Sequence, residues 1–160
     1  MFVVGIDFVV SVNTNEQNIK QLTLIDAGSV ISIDFVSQAK KNTKKFIYGG
    51  GMLIANYPAL LETLSLKMPI DETINLEMMR LGKDTIGCIG AGFIQSLKRL
   101  IENHPMIKQS EYIFLTGGMA NELMRLIKKT GKTKKIKIIS QLVLLGLLIE
   151  RYYKKNDYSG

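Results

Sequence analysis

One cysteine, one histidine and three prolines in 160 residues set the first limits on this chain. A lone Cys88 excludes an internal disulfide, and a Cys/His zinc site would have Cys88 and His104 alone to build from. With a single His, acid–base chemistry falls to carboxylates. The few prolines and a hydrophobic fraction of 46% exclude disorder as the main state. Long apolar runs are also missing. The longest uncharged stretch near the end, Ile138 to Ile149, has 12 residues with Ser140 and Gln141 among them, too short to span a bilayer. The Met1 end has no basic segment and meets Asp7 at once, which is not the layout of a signal peptide. A soluble, cytoplasmic protein without a membrane partner is the expectation.

The length suits one domain, residues 1–160, able to bury a core without metal or disulfide staples. Lys and Arg number 21 against 14 Asp and Glu, a net charge of +7. Lys128, Lys129, Lys132, Lys134, Lys135 and Lys137 crowd one short run, which reads as a solvated basic turn. No aromatic is interleaved there, so nucleic acid is not the expected partner.

Along the chain, strand and helix patterns alternate. Leu22 to Asp26 and Val30 to Val36 are short, β-branched and apolar, and Ala27-Gly28-Ser29 between them predicts a tight hairpin. Phe46 to Tyr48 reads as a third strand ending at Gly49-Gly50-Gly51. A helix is expected from Pro58 to Leu66. Asp84 caps another, whose apolar positions Ile86, Ile89, Phe93, Ile94, Leu97 and Leu100 keep a helical period to Ile101. Gly87, Gly90 and Gly92 inside it each cost roughly 1 kcal/mol against Ala. They point to close approach of another backbone, such as a second subunit's helix. Cys88 is expected in that helix's core face, and His104 at its surface end or C-cap. Glu111 to Thr116 and Ile136 to Ser140 complete the strands; Met119 to Lys129 and Leu142 to Tyr153 complete the helices. The order β-β-β-α-α-β-α-β-α predicts an α/β fold with a mixed sheet, of the ribonuclease H-like, acetate/sugar kinase–Hsp70–actin half-domain type.

Three places carry groups suited to phosphoryl transfer, which works by positioning and by neutralising charge. In Asp26-Ala27-Gly28-Ser29 a carboxylate leaves a buried strand, a glycine lets a phosphate approach the backbone, and a hydroxyl follows. An ordinary Asx-type hairpin turn fits the same residues. Thr116-Gly117-Gly118 stands between a strand and a helix start, where the helix N-terminus favours negative charge; a plain strand-to-helix turn fits equally. In Gly5-Ile6-Asp7 an Asp follows an apolar segment, and by itself it reads as a cap or a solvated residue.

The order of these motifs resembles the type III pantothenate kinases (Bvg accessory factor-like proteins). Gly5-Ile6-Asp7-Phe8 echoes the family's Gly-x-Asp-Arg, and Asp26-Ala27-Gly28-Ser29 its Asp-Ala-Gly-Thr/Ser. Gly50-Gly51, Ser65-Leu66-Lys67-Met68-Pro69, Gly82-Lys83-Asp84-Thr85 and Thr116-Gly117-Gly118 follow in the family's sequence, over essentially the whole chain. The resemblance implies ATP-dependent phosphorylation of pantothenate at the start of coenzyme A synthesis, with Mg2+ and a monovalent cation, K+ or NH4+. It implies Asp7 as the catalytic base and Asp26 as the cation ligand. Gly28, Ser29, Gly117 and Gly118 would meet ATP phosphates, and Gly5, Ile6, Asp7, Phe8 and Thr85 would meet pantothenate. It also implies a homodimer, or a partner chain supplying an N-terminal half-domain, since the family's Asp-x-Gly-Asn-Thr loop finds no match here. Phe8 replaces an Arg that pairs with the substrate carboxylate, a charge-assisted bond of about 1.5–3 kcal/mol or one to two decades of affinity. Ala55-Asn56 replaces Pro-Gly, and Met119 an Asp. The alternative expectation is a non-catalytic, kinase-like partner subunit or a regulatory accessory factor.

Overall fold

The computed structural model describes residues 19–39, 46–64, 80–128 and 135–142. Strands β1 (Gln21–Ala27), β2 (Val30–Gln38) and β3 (Phe46–Ala55) pair antiparallel in succession. Helices α1 (Tyr57–Thr63), α2 (Thr85–Asn103) and α3 (Pro105–Gln109) lead to β4 (Tyr112–Thr116), then α4 (Ala120–Lys128) and β5 (Lys135–Ile138). The five strands form one sheet in the order β3-β2-β1-β4-β5, with β4 parallel to β1 and β5 parallel to β4.

The near-continuous apolar run of β1 follows from burial on both faces. Ile25 and Ala27 join Ile33, Ile113 and Leu115 under the helices, where Phe93, Ile94 and Leu97 of α2 and Leu123 and Leu126 of α4 close the main core. Leu22 and Leu24 point the other way, into a second cluster with Val36, Tyr112, Phe114 and Leu142. Asp84 caps α2 by accepting the Gly87 N–H at 2.7 Å, as its position before the helix predicts.

Several expectations are corrected. The third strand does not stop at Gly49-Gly50-Gly51 but runs on to Ala55. Its register against β2 shifts between Phe35 and Val36, a bulge that Gly50 accommodates at φ +117°. Helix α3, with Pro105 at its start, was not expected. Cys88 is exposed rather than in the core, because α2 buries the face of Gly90, Phe93, Ile94, Leu97 and Ile101, and position 88 lies about 120° round from Ile94. His104 does close α2, through its backbone N–H to Leu100 O at 2.9 Å. Its ring is half-buried and stacks on Phe35 at 5.0 Å between centroids. A close neighbour for Gly87 comes from within the chain: Gly82 Cα would lie 3.3 Å from a Cβ placed there, while a Cβ on Gly92 would have nothing within 4 Å. The last helix expected beyond Leu142, and the segment Ser65 to Pro69, lie outside the described residues. No described helix is long and apolar enough to cross a membrane.

Candidate functional site

Strands β1, β4 and β5 run parallel and end on one edge of the sheet, with Asp26 paired to Thr116 and Leu115 to Ile138. Open α/β sheets offer ligand space at such carboxyl ends, where successive connections leave in opposite directions. Here β1 turns back into β2, whereas β4 runs on into α4. A cleft of about 410 Å³ opens at that edge, lined among others by Asp26, Thr116, Gly117, Gly118, Asn121 and Gln141.

Gly117 brings the two turns together. Its φ is +88°, and a Cβ there would fall 2.5 Å from Asp26 Oδ1 and 2.7 Å from Ala27 O. No side chain fits that place. The Met119 N–H then donates to Ala27 O at 3.0 Å, tying the start of α4 to the end of β1. The helix thus begins at the cleft, its N-terminal partial positive charge on the side where Asp26 stands.

Burial raises the Asp26 carboxyl above its ordinary value of 3.8, and the nearby Asp34 carboxylate adds to the effect. Asp34 is held by Ser32 Oγ at 3.0 Å and by the Tyr48 hydroxyl at 3.2 Å, both donating to it. A half-buried acid in the field of a second acid favours its protonated form at Asp26. Among the described residues there is no group of three His, Cys, Asp or Glu that could hold a metal ion.

Of the residues expected in a site, Asp26, Gly117 and Gly118 meet at the cleft. Gly28 lies close behind, a Cβ on it being 3.8 Å from Asp26 Oδ1. Ser29 and Thr85 are exposed and do not line the cleft. Gly5, Ile6, Asp7 and Phe8 lie outside the described residues. The sequence marks Asn56 only as a mismatch to the family pattern, yet it is buried where the turns meet. Its place just ahead of Tyr57-Pro58 is a helix-start signal that marks it as an N-cap.

No protein-family profile and no curated protein matches the chain. Among solved structures it is similar to a Campylobacter jejuni protein described as a Baf family transcriptional activator. The TM-score is 0.51 and the identity 20%, over 96% of this chain and 65% of that one. It is also similar to apo pSK41 ParM, with a TM-score of 0.50 and 14% identity, over 97% of this chain and 50% of that one. The chain therefore spans less than two thirds of the first protein and half of the second. These likenesses are of fold. They fit a mixed α/β sheet of the actin-like kind.

Proposed function

We propose that this chain contributes the Asp26 and Gly117-Gly118 side of a nucleotide cleft, in an ATP-dependent phosphotransferase of the type III pantothenate kinase kind. Its architecture is read as one acetate/sugar kinase–Hsp70–actin half-domain. The observation that supports this most is the meeting of Asp26 with Gly117 and Gly118, two motifs about ninety residues apart, around one cleft at the ends of parallel strands.

Each residue has a physical part. Gly117 and Gly118 leave the main chain bare, so phosphate oxygens can approach backbone and the start of α4. Asp26 would hold a monovalent cation, and with Mg2+ on the phosphates that charge offsets the triphosphate. Asp7, by the resemblance, takes the proton from the pantothenate hydroxyl, which requires reach and orientation.

Calorimetric titration with Mg-ATP in potassium buffer, paired with a coupled ATP-turnover assay on pantothenate, tests the proposal. Binding weakened by both Gly117→Ala and Gly118→Ala is the expected result: the first Cβ meets Asp26 and Ala27, and the second enters the open space that the phosphates would take. Turnover sensitive to Asp7→Asn would establish the kinase reading. Binding without turnover would favour the non-catalytic partner subunit. No binding at millimolar nucleotide would overturn the site.

A further inference from the structure

Asn56 is 3% exposed, and each polar atom of its side chain has a partner. Oδ1 accepts the Tyr57 N–H at 2.7 Å and so caps α1. Nδ2 donates to Gly28 O at 2.7 Å and to Met119 Sδ at 2.8 Å. The amide has one workable orientation, because a flip would set the NH2 group against an N–H and the oxygen against a carbonyl. Three segments far apart in sequence thus meet on one side chain: the β1–β2 turn, the start of α1 and the turn into α4. Both turns border the cleft: Asp26 and Gly117 line it directly, while Gly28 and Met119 stand one step behind.

We infer that Asn56 is a positioning residue, whose amide holds the Gly28 turn and the Gly117–Met119 turn at a fixed separation and so keeps the cleft formed before a ligand arrives. The part concerning nucleotide affinity rests on the function proposed above; the latch between the two turns does not. Aspartate cannot replace Asn56. It has the same shape and keeps the capping acceptor, but ionised it offers no donor and sets negative charge against the Gly28 carbonyl. Loose turns would have to be ordered by the ligand itself, and affinity falls accordingly.

The test uses the full chain with two variants, Asn56→Asp and Met119→Leu, the second removing the sulfur acceptor at nearly constant volume. Amide hydrogen exchange is followed at residue 119, whose N–H is bonded to Ala27 O, and at the Gly28 turn, with amides of α2 from Phe93 to Leu97 as reference. Asn56→Asp is expected to speed exchange at both turns roughly tenfold relative to α2, and Met119→Leu a few fold. The Asn56→Asp effect should shrink as pH falls, because a protonated carboxyl can again donate to Gly28 O. Unchanged relative exchange at both turns would overturn the latch, and Met119→Leu alone decides should Asn56→Asp fail to fold. Mg-ATP titration separates the two readings. Binding about tenfold weaker in Asn56→Asp supports the positioning role. Equal affinity despite faster exchange overturns it. If the unaltered chain binds no nucleotide, the proposed function fails and exchange alone judges the latch.

Discussion

At Asp26 the two forces on a carboxyl act in the same direction. Burial and Asp34 both raise its pKa above 3.8, so between that value and the raised one the folded chain binds more protons than the unfolded chain. Stability from this group therefore falls as pH rises through that window and stays low above it. Asp26→Asn is expected to raise the urea midpoint near about pH 7, in buffer without potassium or magnesium, and to lose that advantage near about pH 3. An unchanged difference across the range would rule out the electrostatic account. Gly117 gives a steric counterpart. Gly117→Ala places a Cβ at positive φ against Asp26 and Ala27, and strain alone should destabilise by about 1–3 kcal/mol. Gly118→Ala should stay within about 0.5 kcal/mol in the same urea titration. Asp26 and Gly117 were legible because each sits in a short motif of unusual composition. Asn56 was not, since its worth lies in contacts to residues 28 and 119, which no local pattern reveals.

Among the elements, the strands and long helices could be read because their apolar spacing matches their period. β1, β2, α2, β4 and α4 all fall within a few residues of expectation. β3 was cut short because three glycines resemble a turn, although they form a bulged edge strand held by β2. α3 escaped because five residues are too few to show a period. Its junction with β4 is fixed by a contact inside the fold: Thr23 Oγ1 meets Ser110 Oγ at 2.7 Å, both buried, while Ser110 donates to Met106 O at 2.9 Å. Either hydroxyl can donate across the Thr23–Ser110 pair. Thr23→Val keeps the shape, leaves Ser110 Oγ without that partner, and is expected to cost about 1 kcal/mol by chemical denaturation. The cap on α2 gives a similar figure. Asp84→Ala frees the Gly87 N–H and should lower stability by about 1 kcal/mol, with faster exchange confined to the first turn of the helix.

At the scale of the whole molecule, charge among the described residues is not where a triphosphate would want it. The chain carries a net +7, yet no Lys or Arg among the described residues lines the cleft, and Asp26 is there. A nucleotide entering it meets a carboxylate, bare backbone and the start of α4, whose dipole supplies at most about 2 kcal/mol in a partly buried place. That does not outweigh repulsion between Asp26 and phosphate unless small cations intervene. Nucleotide binding should therefore depend on both Mg2+ and a monovalent cation. Chelating Mg2+ with EDTA is expected to weaken ATP binding by at least about tenfold, and so is replacing potassium with a bulky organic cation. In Asp26→Asn the potassium requirement should largely vanish, because the anion that calls for it has gone, while the Mg2+ requirement, which belongs to the phosphates, should persist. Calorimetric titration in the four salt conditions reads both dependences in one series. Affinity indifferent to every cation would overturn the account in which small cations offset the Asp26 carboxylate. A potassium effect unchanged in Asp26→Asn would place that cation somewhere other than beside β1.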